Sequence, residues 1–341
     1  NAQAYAKQVQ DYSAKRQMLT VFNSGAGMCY NGKAVEQIMS SVNNELGKIG
    51  VGSRADEHIY DMHQAVIGAD EATQLASTGA RTLETGIKDL DDMIYIQKTD
   101  LVTIAAQTSH GKTGLLCTIA YNSAKNQGKT WVIFTLENGY RQFTQRLIGI
   151  SSGIETRRIM RGQIRDDEME KYFAGIAEIE RLPIKIIDIS AIKIGQIRSI
   201  VRKLKPNVVG LDYVQLASPD NKAENRNIDV GSITRGLQAL AVEMDIVVIA
   251  LAQLNRSVDA KADRKPTLST LRESGSIEQD SVIVFFIYRP DQINKESIQL
   301  LVEKNKNGPT GVVDAIFLPY TMSFKGANVQ NVNTKDWTNK D

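Results

Sequence analysis

An α/β fold with a mostly parallel central sheet is predicted from about residue 83 onward, behind a helical leading segment. Three observations predict it. Short β-branched runs alternate with helix-like stretches, most of these runs are apolar throughout, and the last two are parted by a turn sequence. A strand that is apolar at every position is covered on both faces. Strand, helix, strand in repeated order pairs the strands parallel, with helices on each side.

The leading segment opens "NAQAYAKQVQDYSAKRQML", helical in pattern and without Met, so the chain is expected to be a piece of a longer protein. Residues 1–30 read as the end of an N-terminal helical region and 31–77 as a linker, with Gly-rich breaks at "NSGAG" (23–27) and "GVGSRAD" (50–56). In "KAVEQIMSSVNNELGKIG" (33–50), Val35, Ile38, Met39, Val42, Leu46 and Ile49 recur at three- and four-residue steps as one narrow apolar stripe. Two readings of that helix stand. It packs on its own domain, or it docks on a neighbouring subunit from between flexible flanks.

Residues 78–341 read as one domain. Its strands are "DLVTIAA" (100–106), "TWVIFTLE" (130–137), "IKIIDIS" (184–190), "NVVGLDYV" (207–214), "IVVIALAQL" (246–254), "SVIVFFIYR" (281–289), "IQLLVEKNK" (298–306) and "GVVDAIFL" (311–318). The last two are joined by Asn307-Gly308-Pro309-Thr310, which reads as an antiparallel hairpin at the sheet edge.

Composition excludes more than it assigns. Apolar content of 42% and charged content of 23% are ordinary for a globular protein. A net charge of +2 neither demands nor excludes nucleic acid, which a local basic lining can hold. Cys29 and Cys117 stand far apart, a usage that fits a reducing cytosol. His58 and His63 lack helical ligand spacing and a cysteine partner, so no zinc site is expected. With no apolar run of about 18 residues and no signal-peptide pattern, no membrane partner is expected.

Chemistry concentrates at "AAQTSHGKTG" (105–114), where Gly111-Lys112-Thr113 closes a phosphate-loop pattern but Ala106 occupies the first glycine position. That position needs only a small residue at a strand end, and alanine is the next smallest. A strand precedes the loop and a helix-spaced segment, "GLLCTIAYNSAKNQ" (114–127), follows it. In that context backbone N–H groups and a helix N-terminus face phosphates, Lys112 reaches the β- and γ-phosphates, and the Thr113 hydroxyl ligates Mg²⁺. Three further polar residues close apolar strands. Asp212 ends "VVGLD" as the candidate Mg²⁺ partner, Glu137 ends "VIFTLE" as a candidate base for the attacking water, and Gln253 ends "VVIALAQ" as a candidate γ-phosphate sensor.

These segments, in this order, resemble the replicative hexameric helicases of the DnaB family over essentially the whole chain. The motifs that carry the likeness are "TGARTLETGIKDLDDM" (78–93), "LAQLNRS" (251–257), "LRESGSIEQD" (271–280), "FFIYR" (285–289) and "KNKNGPTG" (304–311). The family's own phosphate loop also begins with Ala. The resemblance implies a RecA-like domain in a homo-hexameric ring, or a helical assembly if the chain is truncated. It also implies ATP with Mg²⁺ at subunit junctions, single-stranded DNA in a central channel, a primase and a helicase loader as partners, 5′→3′ travel, and the cytoplasm of a bacterial or phage-infected cell. Carried over by position, Ala106, Ser109, His110, Gly111, Lys112, Thr113 and Gly114 form the phosphate loop, with Thr113 and Asp212 on the metal. Glu137 is the catalytic base, Gln253 the sensor, and Arg146 an arginine near the nucleotide. Arg256, Arg272, Glu273 and Gly275 fall on positions that contact the DNA backbone. The striped helix 33–50 takes the place of the family's linker helix.

Lys304 and Lys306, two apart on a strand, are expected to project from one face. Without the resemblance they read as solvated lysines guarding an edge; with it, as cations entering the next subunit's ATP site. Here the chain departs from the family, which usually carries Arg at the position of Lys306; an ammonium cannot make the planar bidentate contact of a guanidinium. The run "QTSH" departs too, and His110 either touches phosphate or packs the loop. "RSVDAKADRKP" (256–266) is mildly basic and free of aromatics, so it reads either as a solvated loop or as a backbone contact without base stacking. Rival readings of the whole are a RecA- or RadA-like recombinase and a non-catalytic ATP-binding loader or scaffold.

Overall fold

The computed structural model describes residues 2–55, 61–78, 81–220, 226–254, 265–291, 294 and 296–327. The chain divides into two compact units, Asn1–Ala80 and Arg81–Asp341.

In the first unit, helices α1 (Ala2–Tyr30) and α2 (Val35–Ala55) form a hairpin, and α3 (Met62–Ser77) follows. Neither expected Gly-rich break occurs: α1 runs through 23–27 and α2 through 50–55. Glycine inside a helix costs roughly 1 kcal/mol, but Gly25 gives something in return. A Cβ there would lie 2.7 Å from Val42 Cγ2, so its absence lets the two helices cross closely. The described residues of both expected flanks, 23–27 and 50–55, are therefore helical. Part of the stripe (Ile38, Val42, Leu46, Ile49) is half-buried within the unit, whereas Val35 and Met39 are exposed. The helix immediately before the second unit is α3, which shows Met62, Val66 and Ile67 to solvent.

The second unit starts with α4 (Lys88–Met93) and then builds one nine-stranded sheet. In chain order its elements are β1 (Leu101–Ala106), α5 (Lys112–Gln127), β2 (Trp131–Thr135), α6 (Tyr140–Ser152), α7 (Thr156–Arg161), α8 (Met169–Arg181), β3 (Ile184–Asp188), α9 (Ile194–Leu204) and β4 (Val208–Asp212). There follow α10 (Arg226–Met244), β5 (Val247–Gln253), α11 (Gly275–Asp280), β6 (Ile283–Tyr288), β7 (Ser297–Asn305), β8 (Gly311–Leu318) and β9 (Ser323–Gly326). The spatial order is β3-β2-β4-β5-β1-β6-β7-β8-β9. The first six pair parallel and the last three antiparallel.

All eight expected strands form. The β7–β8 hairpin, however, is not the sheet edge; β9 covers it, pairing Phe324 with Phe317 of β8. β1 lies inside the sheet, and its side chains divide by the two-residue period of a strand. Val102, Ile104 and Ala106 join one core with Leu115, Leu116 and Ile119 of α5, while Leu101 and Ala105 join the other with Ile197, Val201, Leu237 and Leu240. Each fully buried Leu, Ile or Val side chain among these contributes roughly 1.5–3 kcal/mol. Two covered faces make the central strands apolar throughout, and they fix where the carboxyl ends of β1, β2, β4 and β5 converge. Among the described residues, no helix is long and apolar enough to cross a membrane.

Candidate nucleotide site

β1 ends at Ala106, wholly buried, and the chain turns over residues 107–111 into α5. The turn requires left-handed backbone at Ser109 (φ 65°) and Gly111 (φ 93°). Gly111 meets this at no steric cost and leads into α5 as its N-cap. A Cβ on Gly111 would also lie 2.9 Å from Phe324, so β9 presses on the loop from behind. Phe324 packs on Phe317 with ring centroids 5.0 Å apart, and the Arg289 guanidinium lies 5.3 Å from the Phe317 centroid.

Gly114 is tighter still: a Cβ there would lie 2.3 Å from the Met322 carbonyl oxygen. Backbone cannot yield as a side chain can. Gly114→Ala is expected to cost about 1–3 kcal/mol of stability, read as a lowered denaturation midpoint. An unchanged midpoint would show that the β9 segment moves aside freely.

The loop lysine is turned inward. Lys112 Nζ donates to the carbonyls of Ala106 (3.1 Å) and Gln107 (3.2 Å), and burial lowers its pKa against the opposing pull of Asp212 and Glu137. Beside it, Thr113 Oγ1 donates to Asp212 Oδ2 at 2.7 Å. Asp212 closes β4 at 1% exposure, and its second oxygen, Oδ1, has no hydrogen-bond partner. Burial raises the Asp212 pKa; the Thr113 hydrogen bond opposes that rise, Glu137 adds to it, and Arg146 and Lys112 oppose it. A buried carboxylate oxygen without a partner, next to a hydroxyl, suits a hard cation shared with phosphate oxygens. No cluster of three or more His, Cys, Asp or Glu that could hold a metal is found among the described residues.

The other expected residues fall around this pair. Glu137 lies two residues past β2, exposed, and close enough for its charge to act on Lys112 and Asp212. Leu136 N donates to the Asp212 carbonyl at 2.8 Å, which pins the end of β2 beside β4. Arg146 reaches toward Asp212 from α6, and its Nε is buried with no hydrogen-bond partner. Gln253 Nε2 donates to Thr108 Oγ1 at 3.0 Å and so touches the loop itself. His110 Nδ1 lies 3.0 Å from the Thr108 carbonyl oxygen, the geometry of a residue that shapes the loop.

Gln215 was not legible in the sequence. Its amide brackets the Gln253 backbone, Nε2 donating to the carbonyl at 3.0 Å and Oε1 accepting from the N–H at 3.2 Å. That pairing spans 38 residues and exists only because β4 and β5 are neighbours. Gln215 thus positions the sensor candidate.

Lys304 and Lys306 lie away from this site within the chain. Val102, near the start of β1, pairs with Ile283 of β6, which pairs with Asn305 at the end of β7. The lysines therefore sit at the amino end of the parallel strands, opposite the phosphate loop. Lys306 is exposed and falls past the end of β7, so strand alternation does not govern it. Lys304 is half-buried, with its ammonium on carbonyls of α11. Of the DNA candidates, Arg256 lies outside the described residues. Arg272 and Glu273 fall in a 3₁₀ turn, Leu268–Ser274, and Gly275 opens α11, exposed and with open space around its Cα.

The DnaB-like helicase C-terminal domain matches residues 82–326, nearly all of the second unit. This chain belongs to the DnaB-like helicase family. The replicative DNA helicase DnaB of Geobacillus stearothermophilus is 31% identical over 332 residues, 93% of this chain and 73% of that protein. The replicative DNA helicase DnaC of Bacillus subtilis is 30% identical over the same shares. Among solved structures, a DnaB-like replicative helicase studied with primase superposes with a TM-score of 0.77 at 29% identity, over 95% of this chain and 78% of that one. A solved ATPase domain superposes at 0.73 and 31% identity, over 79% of this chain and 99% of that one. The fold is RecA-like, and as a DnaB-like P-loop protein the chain binds nucleotide. Membership also sets aside the recombinase reading.

Proposed function

We propose that this chain is an ATP-hydrolysing replicative DNA helicase that moves 5′→3′ on single-stranded DNA in the bacterial cytoplasm, as a homo-hexameric ring. The carrying observation is the Thr113–Asp212 pair at 2.7 Å, with an unpartnered Asp212 oxygen, at the carboxyl edge of a parallel sheet. Backbone N–H groups of the loop and of the α5 N-terminus hold the phosphates, and Lys112 leaves its carbonyls to meet them. Thr113 and Asp212 would hold Mg²⁺, which when bound neutralises phosphate oxygen charge. Glu137 takes the proton of the attacking water. Gln253, joined to the loop through Thr108, senses the γ-phosphate, and Arg146 adds positive charge that acts on Asp212. Lys306 completes the site from the adjacent subunit.

Residues 268–275 and the segment around Arg256 contact the DNA backbone, which a motor moving over any sequence requires. The first unit joins subunits, and α3, which precedes the second unit in the chain and carries exposed apolar residues, shares the linker role with α2. A primase and a loader are the further partners. The test is unwinding of forked DNA with ATP and Mg²⁺. Wild type is expected to unwind and Lys112→Ala to show no unwinding; an assembled wild type that fails to unwind would sink the helicase reading.

A further inference from the structure

The Lys304 ammonium donates to the Glu278 carbonyl and, at 3.5 Å, to that of Gln279. Both belong to the last turn of α11, whose carbonyls have no partner within the helix and carry its negative dipole end. α11 has six residues, too few to be stable alone. It is held from its C-terminal end. Besides Lys304, Thr234 Oγ1 donates to the Asp280 carboxylate, and Ser281 donates to the Ile277 carbonyl through N (3.1 Å) and Oγ (2.7 Å). Its N-terminus continues into the 3₁₀ turn Leu268–Ser274, where Leu271 is buried. Lys306, two residues beyond Lys304, is exposed beyond the end of the same strand.

We infer that Lys304 is a positioning residue that couples the inter-subunit nucleotide contact to the DNA-binding turn, by tying β7 to the end of α11. This rests on the reading of residues 268–275 as a DNA contact. A displacement of the end of β7, when Lys306 engages the neighbour's nucleotide, passes through the ammonium to α11 and so to Gly275. Burial and Lys306 lower the Lys304 pKa, while Glu278 and Asp280 hold it up. The cation is thus placed by α11 itself, which the finger role carried over from the family does not require.

Two measurements on the full chain test this: affinity for a labelled single-stranded oligo-dT without nucleotide, and hydrogen exchange of the Ser281 amide. Lys304→Met is expected to weaken oligo-dT binding about five- to tenfold and to speed exchange by a similar factor, the loss of a charge-assisted contact at a helix end. Lys304→Arg restores both in large part, and Lys306→Met leaves the Ser281 exchange at the wild-type rate. Wild-type exchange and affinity in Lys304→Met, with a wild type that binds oligo-dT, would overturn the inference alone. A wild type that does not bind oligo-dT would overturn the DNA reading and this inference with it.

Discussion

Glu137→Gln is expected to lower ATP hydrolysis by about 10²- to 10⁴-fold, the usual contribution of a general base, and to leave nucleotide binding close to wild type. The substitution keeps size and hydrogen bonding but removes the ability to accept a proton. Glu137 is exposed at the carboxyl end of β2, where water reaches it, and the Leu136–Asp212 backbone hydrogen bond at 2.8 Å holds that end in place. Its charge acts on Lys112 at the start of α5 and on Asp212 at the end of β4. Single-turnover hydrolysis, with nucleotide affinity measured separately, checks the split. Wild-type hydrolysis in Glu137→Gln would move the base to another residue.

Lys306→Ala is expected to remove most hydrolysis, by about 10³-fold, the low end of the range for a trans-acting arginine because an ammonium lacks the planar fork. Its own subunit's loop is intact, so nucleotide binding persists. The decisive measurement is a mixture. Lys306→Ala and Lys112→Ala chains, each inactive alone, regain part of the hydrolysis when assembled together, because a junction between them can combine an intact loop with an intact Lys306. No recovery from mixtures that assemble normally would place Lys306 outside the neighbour's site.

The sequence made the sheet legible because continuous apolar runs can be buried in few ways, and the eight runs are the eight longest strands. β9 escaped notice because Ser-Phe-Lys-Gly is four residues long and is held by Phe324 packing across the sheet. The Gly-rich stretches misled for a related reason. Glycine's local preference in α1 is outweighed by the close approach of Gly25 to Val42, which no window of sequence contains. Around the phosphate loop, Lys112, Thr113, Asp212 and Gln253 stood out because each closes or follows a strand, and the fold brings those ends together. Gln215 and the attachment of Lys304 to α11 depend on partners 38 and 26 residues away. Their side chains look ordinary until the strands are set side by side.

The register of β1, β6 and β7 places the phosphate loop and Lys306 at opposite ends of one sheet. With Lys306 in the role proposed for it, each chain is a donor at one end and an acceptor at the other, and no chain satisfies itself. An open row of such chains always ends in one loop with no cation to complete it. A closed ring has as many complete sites as members. Turnover per chain thus reports closure, and opening a single junction to admit a DNA strand silences one site while leaving the others whole.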